Sequence, residues 1–300
     1  MRPLRLTASI VTLLSAFSLL SIIPLTGCSV TQGGVSASVQ QTPQKLIVDL
    51  EEKYDVAIGV SLRDQNARVL LEWRSRERFP MTSTVKALAC ARVYELGLEN
   101  QSAPISVVEP VTYSTVYGSI EPNTQISLKQ ACRTALSTSD NRAANFIFKL
   151  TGGPQALTAW LREKGDTTTR SDRIEPTLNL SGKNEYRDTT TPSNATLNWQ
   201  RLDTQLTPKA HHQWLADLAA NQIADHLFRA SLPEDWRVYD RTGAGSDDFS
   251  ATRAIHAILV NPEGQRYYAA LHIKAAPGTS LEQRDAVLKQ AIHVIYETID

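Results

Sequence analysis

The chain has 300 residues, of which 42% are hydrophobic, and its 31 basic and 31 acidic residues give a formal net charge of +0 at pH 7. A chain of this length and composition can bury a full core, either as one domain or as two closely fused lobes. The balanced charge gives no basic surface of the kind that binds nucleic acid, so that class of partner is not indicated.

The first 27 residues are typical of a secretory signal. Arg2 and Arg5 precede an apolar run, residues 10–23, which is short for a membrane span and is interrupted by serine. The run ends at Leu25-Thr26-Gly27-Cys28, which resembles a bacterial lipobox. That resemblance implies that the signal is residues 1–27 and that Cys28 becomes lipidated; ordinary cleavage with an unmodified cysteine is the alternative.

Residues after the cleavage site indicate where the protein resides. Ser29 stands where signals for inner-membrane retention usually carry aspartate. We therefore expect a lipid anchor in the outer membrane of a Gram-negative bacterium, facing the periplasm, or a soluble periplasmic protein if Cys28 is not lipidated. Residues 28–41 are mostly small and polar without an apolar period, and they predict a flexible tether.

Hydrophobic periodicity predicts the folded elements from Thr42 onward. A helix with Leu46, Ile47, Leu50 and Tyr54 on one face opens the domain. Strands are predicted at residues 56–62 and 68–73, and again at 237–241, 251–260 and 266–274. Helices are predicted at residues 85–96, 128–136, 142–150 and 154–164, and from Leu281 to the end of the chain with Ser280 and Gln283 as a capping box.

This order of elements predicts an α/β chain of the α+β type. An antiparallel sheet lobe, residues 42–76 and 222–300, would be built from both chain ends and flanked by the N- and C-terminal helices. An all-helical lobe, residues 77–221, would be inserted into it, with the active site between the two lobes. Together they make one domain, residues 42–300.

Ser83 and Lys86 are three residues apart at a predicted helix start. This spacing places both on one face, near the positive end of the helix dipole. A serine hydroxyl beside an amine is a nucleophile once its proton is removed. Ser-x-x-Lys is expected about once by chance in a chain of this size, so alone it favours a structural interpretation.

Ser139-Asp140-Asn141 lies between two predicted helices. The hydroxyl of Ser139 can relay a proton to a leaving nitrogen, and the amide of Asn141 can bind a substrate carbonyl. Serine, aspartate and asparagine are also the preferred helix N-caps, so helix capping is the structural alternative.

Residues 173–179 are the most discriminating segment. Glu175 and Asn179 are four residues apart in a proline-containing stretch, so both side chains could hold one water with Glu175 as general base. The chain from Arg173 to Asp188 can form a compact Ω-loop, its neck closed by an ion pair between these two residues. A polar surface loop is the alternative.

Arg241-Thr242-Gly243-Ala244-Gly245 is predicted to end a strand. A cation and a hydroxyl suit a substrate carboxylate. The glycines allow close approach of the backbone, so the N–H groups of Ala244 and Ser83 could together bind an oxyanion. A simple exit from strand to turn is the alternative.

Together and in this order, the four segments resemble the Ser-x-x-Lys, Ser-Asp-Asn and Lys-Thr-Gly motifs of class A serine β-lactamases. The resemblance covers residues 42–300 and implies a β-lactamase/transpeptidase-like fold, a monomer that opens a β-lactam ring through an acyl-enzyme, and no cofactor or metal. The implied catalytic residues are Ser83, Lys86, Ser139, Glu175 and Ala244. The implied substrate-binding residues are Tyr113 at the cleft rim, Asn141, Asn179, Arg241, Thr242, Gly243 and Arg253.

The resemblance also implies a role for each catalytic side chain. Ser83 would be acylated, Ser139 would protonate the leaving nitrogen, and Glu175 would activate the deacylating water. Whether Lys86, or Glu175 through a water, removes the Ser83 proton is left open. Arg253 matches an arginine that supports the substrate carboxylate, although the spacing of residues 245–250 departs from the commonest pattern.

Arg241 stands where the family usually has lysine. This departure resembles the carbenicillin-hydrolysing subgroup. Arginine stays charged and offers a planar fork to a carboxylate. We therefore expect efficient hydrolysis of penicillins, including carboxypenicillins, and weaker action on bulky cephalosporins.

Three cysteines leave Cys90 and Cys132 as a pair if Cys28 is lipidated. In an oxidising compartment the pair is either bridged or remains as two buried thiols. The family resemblance implies the bridge, since many members have a disulfide at these positions. Such a bridge would stabilise the fold by about 4 kcal/mol in the chain-entropy model.

Two other functions stay open from the sequence. A penicillin-binding D,D-peptidase shares the Ser-x-x-Lys motif but lacks a deacylating glutamate, the role assigned here to Glu175. A non-enzymatic periplasmic lipoprotein that binds peptidoglycan would leave the catalytic set unexplained. The six histidines are scattered and no zinc, P-loop or dinucleotide motif occurs, so no metal site is predicted.

Overall fold

A computed structural model of the chain describes residues 41–105 and 112–300. The predicted signal, Cys28 and all but the last residue of the predicted tether lie outside these ranges. Within the described ranges, no helix has the length and apolar character needed to cross a membrane.

The centre of the domain is a five-stranded antiparallel sheet. Its strands are β1 (Ala57–Asp64), β2 (Val69–Trp73), β7 (Arg237–Ser246), β8 (Ala251–Val260) and β9 (Arg266–Ala275). They lie in the order β2-β1-β9-β8-β7, which leaves β7 at one edge. Two small sheets are made by pairing β3 (Phe79–Pro80) with β6 (Thr189–Thr190), and β4 (Ser102–Pro104) with β5 (Gln125–Ser127).

Eight α-helices surround the sheet in the described ranges. They are α1 (Pro43–Tyr54), α2 (Val85–Glu95), α3 (Leu128–Ser137), α4 (Asn141–Leu150), α5 (Gly153–Glu163), α6 (Pro192–Gln205), α7 (Pro208–Ala219) and α8 (Leu281–Ile299). Short 3₁₀ turns occupy Thr82–Thr84, Tyr117–Ser119 and Thr177–Asn179, and a short π-helix occupies Asp225–Arg229.

The sheet is covered on both faces, and β8 shows this most clearly because all ten of its residues are buried. Its side chains alternate between two hydrophobic clusters. Ala257 and Leu259 join the cluster that contains α1 and α8, whereas Ile258 and Val260 join the cluster that contains α2 to α7. The sheet therefore separates a core under the terminal helices from a core among the inserted helices, as the sequence predicted.

Local signals placed the helix boundaries well. Ser280 and Gln283 form the predicted capping box at the start of α8, and Thr42 caps α1. The disulfide between Cys90 and Cys132 is present and joins α2 to α3, with Cα atoms 5.5 Å apart. Helices α6 and α7 were not predicted individually, because polar residues dilute their apolar period; each begins at a proline in the first turn.

The strand predicted at residues 237–241 is too short at its C-terminal end, whereas the prediction that residues 241–245 end a strand is confirmed to within one residue. Strand β7 continues to Ser246, since its pairing with β8 extends from Arg237↔Val260 to Ser246↔Ala251 without a break. Glycine-rich sequence weakens a strand when judged locally, but a long partner strand supplies the hydrogen bonds here. The segment therefore presents its residues from a rigid edge strand rather than from a turn.

Candidate active site

Ser83 lies in the 3₁₀ turn that leads directly into α2. Strand β7 passes very close to this turn: a Cβ atom at Gly243 would lie 2.7 Å from the backbone nitrogen of Ser83 and closer still to the Thr82 hydroxyl. Only glycine fits at this position without displacing the turn. The backbone of β7 and the backbone of Ser83 thus line the same side of one cleft.

Lys86 lies in the first turn of α2 and is 1% exposed. Its ammonium nitrogen has three short contacts, to the Ser139 carbonyl oxygen at 2.8 Å, Asn141 Oδ1 at 2.6 Å and Glu175 Oε1 at 2.9 Å, and a longer one to Ser139 Oγ at 3.3 Å. A protonated lysine has three donors, so this arrangement suits the charged form. Burial lowers the pKa of Lys86 to about 8, although the Glu175 carboxylate acts to raise it.

The Ser139-Asp140-Asn141 loop is fixed by hydrogen bonds to the side chain of Asp140. Asp140 is fully buried and caps α4 by accepting from the Ala143 N–H at 3.0 Å. It also accepts from the backbone N–H groups of Val116 and Tyr117, at 2.9 and 2.8 Å. The capping alternative is therefore correct for Asp140, while Ser139 and Asn141 face the cleft.

The Ω-loop has the neck that the sequence predicted. Arg173 Nε lies 2.6 Å from Asp188 Oδ2, and Asp188 Oδ1 accepts from the backbone N–H groups of Asp172 and Arg173 at 2.7 and 3.0 Å. Burial raises the pKa of Asp188 in spite of these bonds. The Asp188 carboxylate closes the loop by accepting hydrogen bonds from backbone and side-chain donors on the other side of the neck.

Glu175 is placed at the bottom of the cleft by groups on both sides. Its Oε2 accepts from Asn179 Nδ2 at 2.5 Å, and its Oε1 lies 3.4 Å from Ser83 Oγ. Asn145, on α4, binds both the backbone N–H and the backbone carbonyl of Glu175, each at 2.9 Å. The predicted pairing of Glu175 with Asn179 is thus present, and the carboxylate also reaches the serine and the lysine.

Arg241 is fully buried under the cleft. Its Nη2 donates to Ser139 Oγ, whereas Nε and Nη1 have no hydrogen-bond partner among the described residues. Burial lowers its pKa to about 10, which leaves the guanidinium charged at neutral pH. The neighbouring Thr242 hydroxyl also lacks a partner among these residues and faces the cleft. The Thr242 hydroxyl thus lines the cleft and the Arg241 guanidinium lies buried beneath it, while the anion-binding role of the two residues stays a prediction.

Arg253 lines the same cleft, but its charge is already paired. Its Nε lies 2.6 Å from Asp285 Oδ1, and the other oxygen of Asp285 lies 2.8 Å from His226 Nε2. The carboxylate of a bound substrate would therefore meet an Arg253–Asp285 ion pair rather than a free cation. The carboxylate-binding role of Arg253 stays a prediction.

These groups surround a cleft of about 530 Å³, a size typical of sites for small molecules. Lys86, Glu175 and Arg241 lie buried beneath it. Nowhere in residues 41–105 or 112–300 do three or more His, Cys, Asp or Glu side chains form a group suited to a metal ion. The predicted residues that line the cleft are Ser83, Tyr113, Ser139, Asn141, Asn179, Thr242, Gly243, Ala244 and Arg253.

Sequence reasoning missed several residues of the site. Asn145 follows Asn141 by one helical turn, and this spacing on a predicted helix was the available signal. His226 and Asp285 carry no motif, and they reach the cleft only through tertiary packing.

Comparison with known proteins agrees with this geometry. A family model described as the beta-lactamase enzyme family matches residues 42–299. Beta-lactamase CARB-4 of Pseudomonas aeruginosa is 33% identical over 272 residues, which are 88% of this chain and 93% of that protein.

Solved structures give the same result. The chromosome-encoded β-lactamase of Vibrio parahaemolyticus superposes with a TM-score of 0.80 at 32% identity, covering 85% of this chain and 98% of that one. An ancestral (GNCA) class A β-lactamase superposes with a TM-score of 0.79 at 33% identity, covering 86% of this chain and 100% of that one. The chain therefore belongs to the β-lactamase enzyme family, as a class A serine β-lactamase.

Proposed function

We propose that the enzyme opens the β-lactam ring by forming an acyl-enzyme on Ser83. The observation that carries this proposal is the position of Glu175 Oε1, which lies 3.4 Å from Ser83 Oγ and 2.9 Å from Lys86 Nζ. One carboxylate oxygen thus serves both the nucleophile and the buried cation. The N–H groups of Ser83 and Ala244 would bind the oxyanion, since Gly243 brings β7 against the serine turn.

The resting geometry favours Glu175 as the group that takes the proton of Ser83. Lys86 has all three donors engaged, and its charged ammonium has no lone pair with which to accept a proton. The ammonium of Lys86 would hold Ser139 and Glu175 in place. Ser139, which contacts Lys86 and Arg241, would then pass its proton to the leaving nitrogen and regain one from Lys86. Lys86 would in turn take the proton held by Glu175, which returns Glu175 to a carboxylate before deacylation.

Deacylation needs a water beside the ester carbonyl. Glu175 Oε2 and Asn179 Nδ2 are 2.5 Å apart, with Asn179 lining the cleft and Glu175 buried beneath it. The two side chains would hold that water beside their own hydrogen bond, and Glu175 would activate it. A D,D-peptidase has no use for such a pair. Trapping of the acyl-enzyme in a Glu175→Gln variant tests the whole assignment, because formation and hydrolysis of the ester then separate.

We further propose that penicillins, including carboxypenicillins, are the preferred substrates, with weaker action on bulky cephalosporins. The support is Arg241, a buried guanidinium with two donors that have no partner in the described part of the chain. A planar fork can give a carboxylate two parallel hydrogen bonds, whereas an ammonium acts as a point charge.

Arg241→Lys is expected to lower kcat/KM for carbenicillin by about tenfold relative to benzylpenicillin. This factor corresponds to the loss of roughly one charge-assisted hydrogen bond to the substrate. Steady-state rates on the two penicillins and on an oxyimino-cephalosporin measure this. Arg237→Lys is the matched control, since it makes the same change at the exposed start of β7. Equal turnover of carbenicillin by the wild type and by Arg241→Lys would remove Arg241 as the cause of the preference.

Finally, we propose that Cys28 carries a lipid that anchors the enzyme in the outer membrane, facing the periplasm. The support is the Leu25-Thr26-Gly27-Cys28 sequence followed by Ser29. Cys28→Ala should move the protein from the outer-membrane fraction to the soluble periplasmic fraction. A wild type found only in the soluble fraction would refute the anchor and leave the catalytic proposal untouched.

A further inference from the structure

The turn between β7 and β8 presents a carboxylate, Asp247, to the Ω-loop. Its Oδ2 accepts from the backbone N–H of Ser181 at 2.5 Å and from that of Gly182 at 3.3 Å. The Ser181 hydroxyl lies 3.0 Å from Oδ1 and 2.9 Å from Oδ2. One side chain of the sheet edge therefore holds two consecutive residues of the Ω-loop.

The same carboxylate fixes its own turn. Its Oδ1 accepts from the backbone N–H groups of Phe249 and Ser250, at 2.8 and 3.0 Å. Ser250 Oγ lies 2.6 Å from Ser181 Oγ, and both serines are buried. Burial alone would raise the pKa of Asp247, but the backbone N–H groups of Ser181, Phe249 and Ser250 outweigh it and lower that pKa to about 2.

This cross-link lies two residues from the catalytic part of the loop. Asn179, which contacts Glu175, precedes Ser181 by two positions. The backbone carbonyl of Asn179 also lies against β7, because a Cβ atom at Gly245 would be only 2.6 Å from its oxygen. The Ω-loop therefore rests on β7 at Gly245 and is tied to the strand end at Asp247.

The position of Glu175 does not depend on the Asp247 cross-link. Asn145 binds its backbone on both sides, and Lys86 contacts its carboxylate from α2.

Asn179 has a different set of supports. Within the loop its Nδ2 donates to the Pro176 carbonyl at 3.1 Å, and Arg173 Nη2 donates to the Leu180 carbonyl at 3.0 Å. From outside the loop, Gly245 and the Asp247 cross-link hold this end against β7.

We propose that Asp247 is a positioning residue for deacylation, which ties the Ω-loop to the β7–β8 turn and so keeps Asn179 opposite Glu175. The proposal rests on the acyl-enzyme function proposed above. Acylation needs Ser83, Lys86 and Glu175, and the β7–β8 turn holds none of them. The Asp247 cross-link therefore affects hydrolysis of the ester and not its formation.

The test separates the two chemical steps with benzylpenicillin in a stopped-flow instrument. Asp247→Ala is expected to slow deacylation and kcat about tenfold, because small displacements of a positioning group cost this much or more. Its acylation rate should stay within about twofold of wild type, and KM should fall as acyl-enzyme accumulates. Asp247→Asn retains one acceptor oxygen and should lose about threefold.

Asp248→Asn is the matched control, since Asp248 is the exposed neighbour and its side chain has no hydrogen-bond partner among the described residues. It should behave as wild type. Equal deacylation rates in Asp247→Ala and Asp248→Asn, or an equal fall of acylation and deacylation in Asp247→Ala, would overturn the proposal. If Asp247→Ala does not fold, Asp247→Asn and Ser181→Ala make the same comparison. A wild type that forms no acyl-enzyme would refute the proposed function instead.

Discussion

The Glu175→Gln variant is expected to form an acyl-enzyme with benzylpenicillin that is then hydrolysed only very slowly. The amide keeps the shape of the side chain but cannot accept a proton from the deacylating water. We expect deacylation to fall by about 10³-fold, within the range that general bases contribute. Progress curves should then show a burst of one equivalent of product followed by a very slow phase.

Acylation should survive this change at a reduced rate, because a second base becomes available. The Glu175 carboxylate acts to raise the pKa of Lys86, so its removal lowers that pKa further and increases the neutral amine. No other described carboxylate faces Asn179, so hydrolysis has no such substitute. Glu263→Gln, in the exposed turn after β8, is the control and should turn over as wild type. Full turnover by Glu175→Gln would contradict the assignment of Glu175 as the deacylating base.

The pH dependence of acylation in Glu175→Gln identifies the substitute base. Neutral Lys86 is the active form in this variant, and an amine becomes neutral as the pH rises through its pKa. Since that pKa is about 8 in the native enzyme and lower without Glu175, the acylation rate should rise between pH 6 and 9 and level off. A pKa of 8 would give a rise of about 100-fold over this range, so the variant, whose Lys86 pKa is lower, should show a smaller rise.

On the proposed mechanism the native enzyme should show a fall instead of a rise as the pH passes about 8, because Glu175 would accept the proton and Lys86 would be needed as a cation beside Ser139 and Asn141. Stopped-flow acylation rates across this range provide the measurement, corrected for the hydrolysis of benzylpenicillin by hydroxide alone. Glu175→Gln combined with Lys86→Ala should lose the rise. A native enzyme whose acylation climbs through pH 8 in the same way would make Lys86 the base in both.

The catalytic segments could be predicted because each is encoded locally. Ser83 and Lys86 share a helix face, Ser139 and Asn141 flank a helix cap, and Glu175 and Asn179 are four residues apart. Periods of 3.6 and 2.0 in the apolar residues placed α1, α8 and β8 within a residue or two of their observed bounds. The order of these elements predicted one antiparallel sheet built from both chain ends, but not the strand order β2-β1-β9-β8-β7.

The contacts that tune the site could not be predicted, because they join residues far apart in the chain. Asp247 and Ser181 are separated by 66 positions, and Arg253 and Asp285 by 32. Sequence shows that an aspartate can accept hydrogen bonds but not which donors it will meet. The extension of β7 through Ser246 was missed for the same reason, since its support comes from pairing with β8.

The most direct test of the account is to locate the acyl group by mass spectrometry. Glu175→Gln would be mixed with benzylpenicillin, quenched in acid, digested and mapped. We predict that one equivalent of intact benzylpenicillin is bound as an ester, and that fragment ions place it on Ser83. No adduct, or an adduct on Ser139 or another residue, would contradict the assignment of Ser83 as nucleophile and Glu175 as the deacylating base.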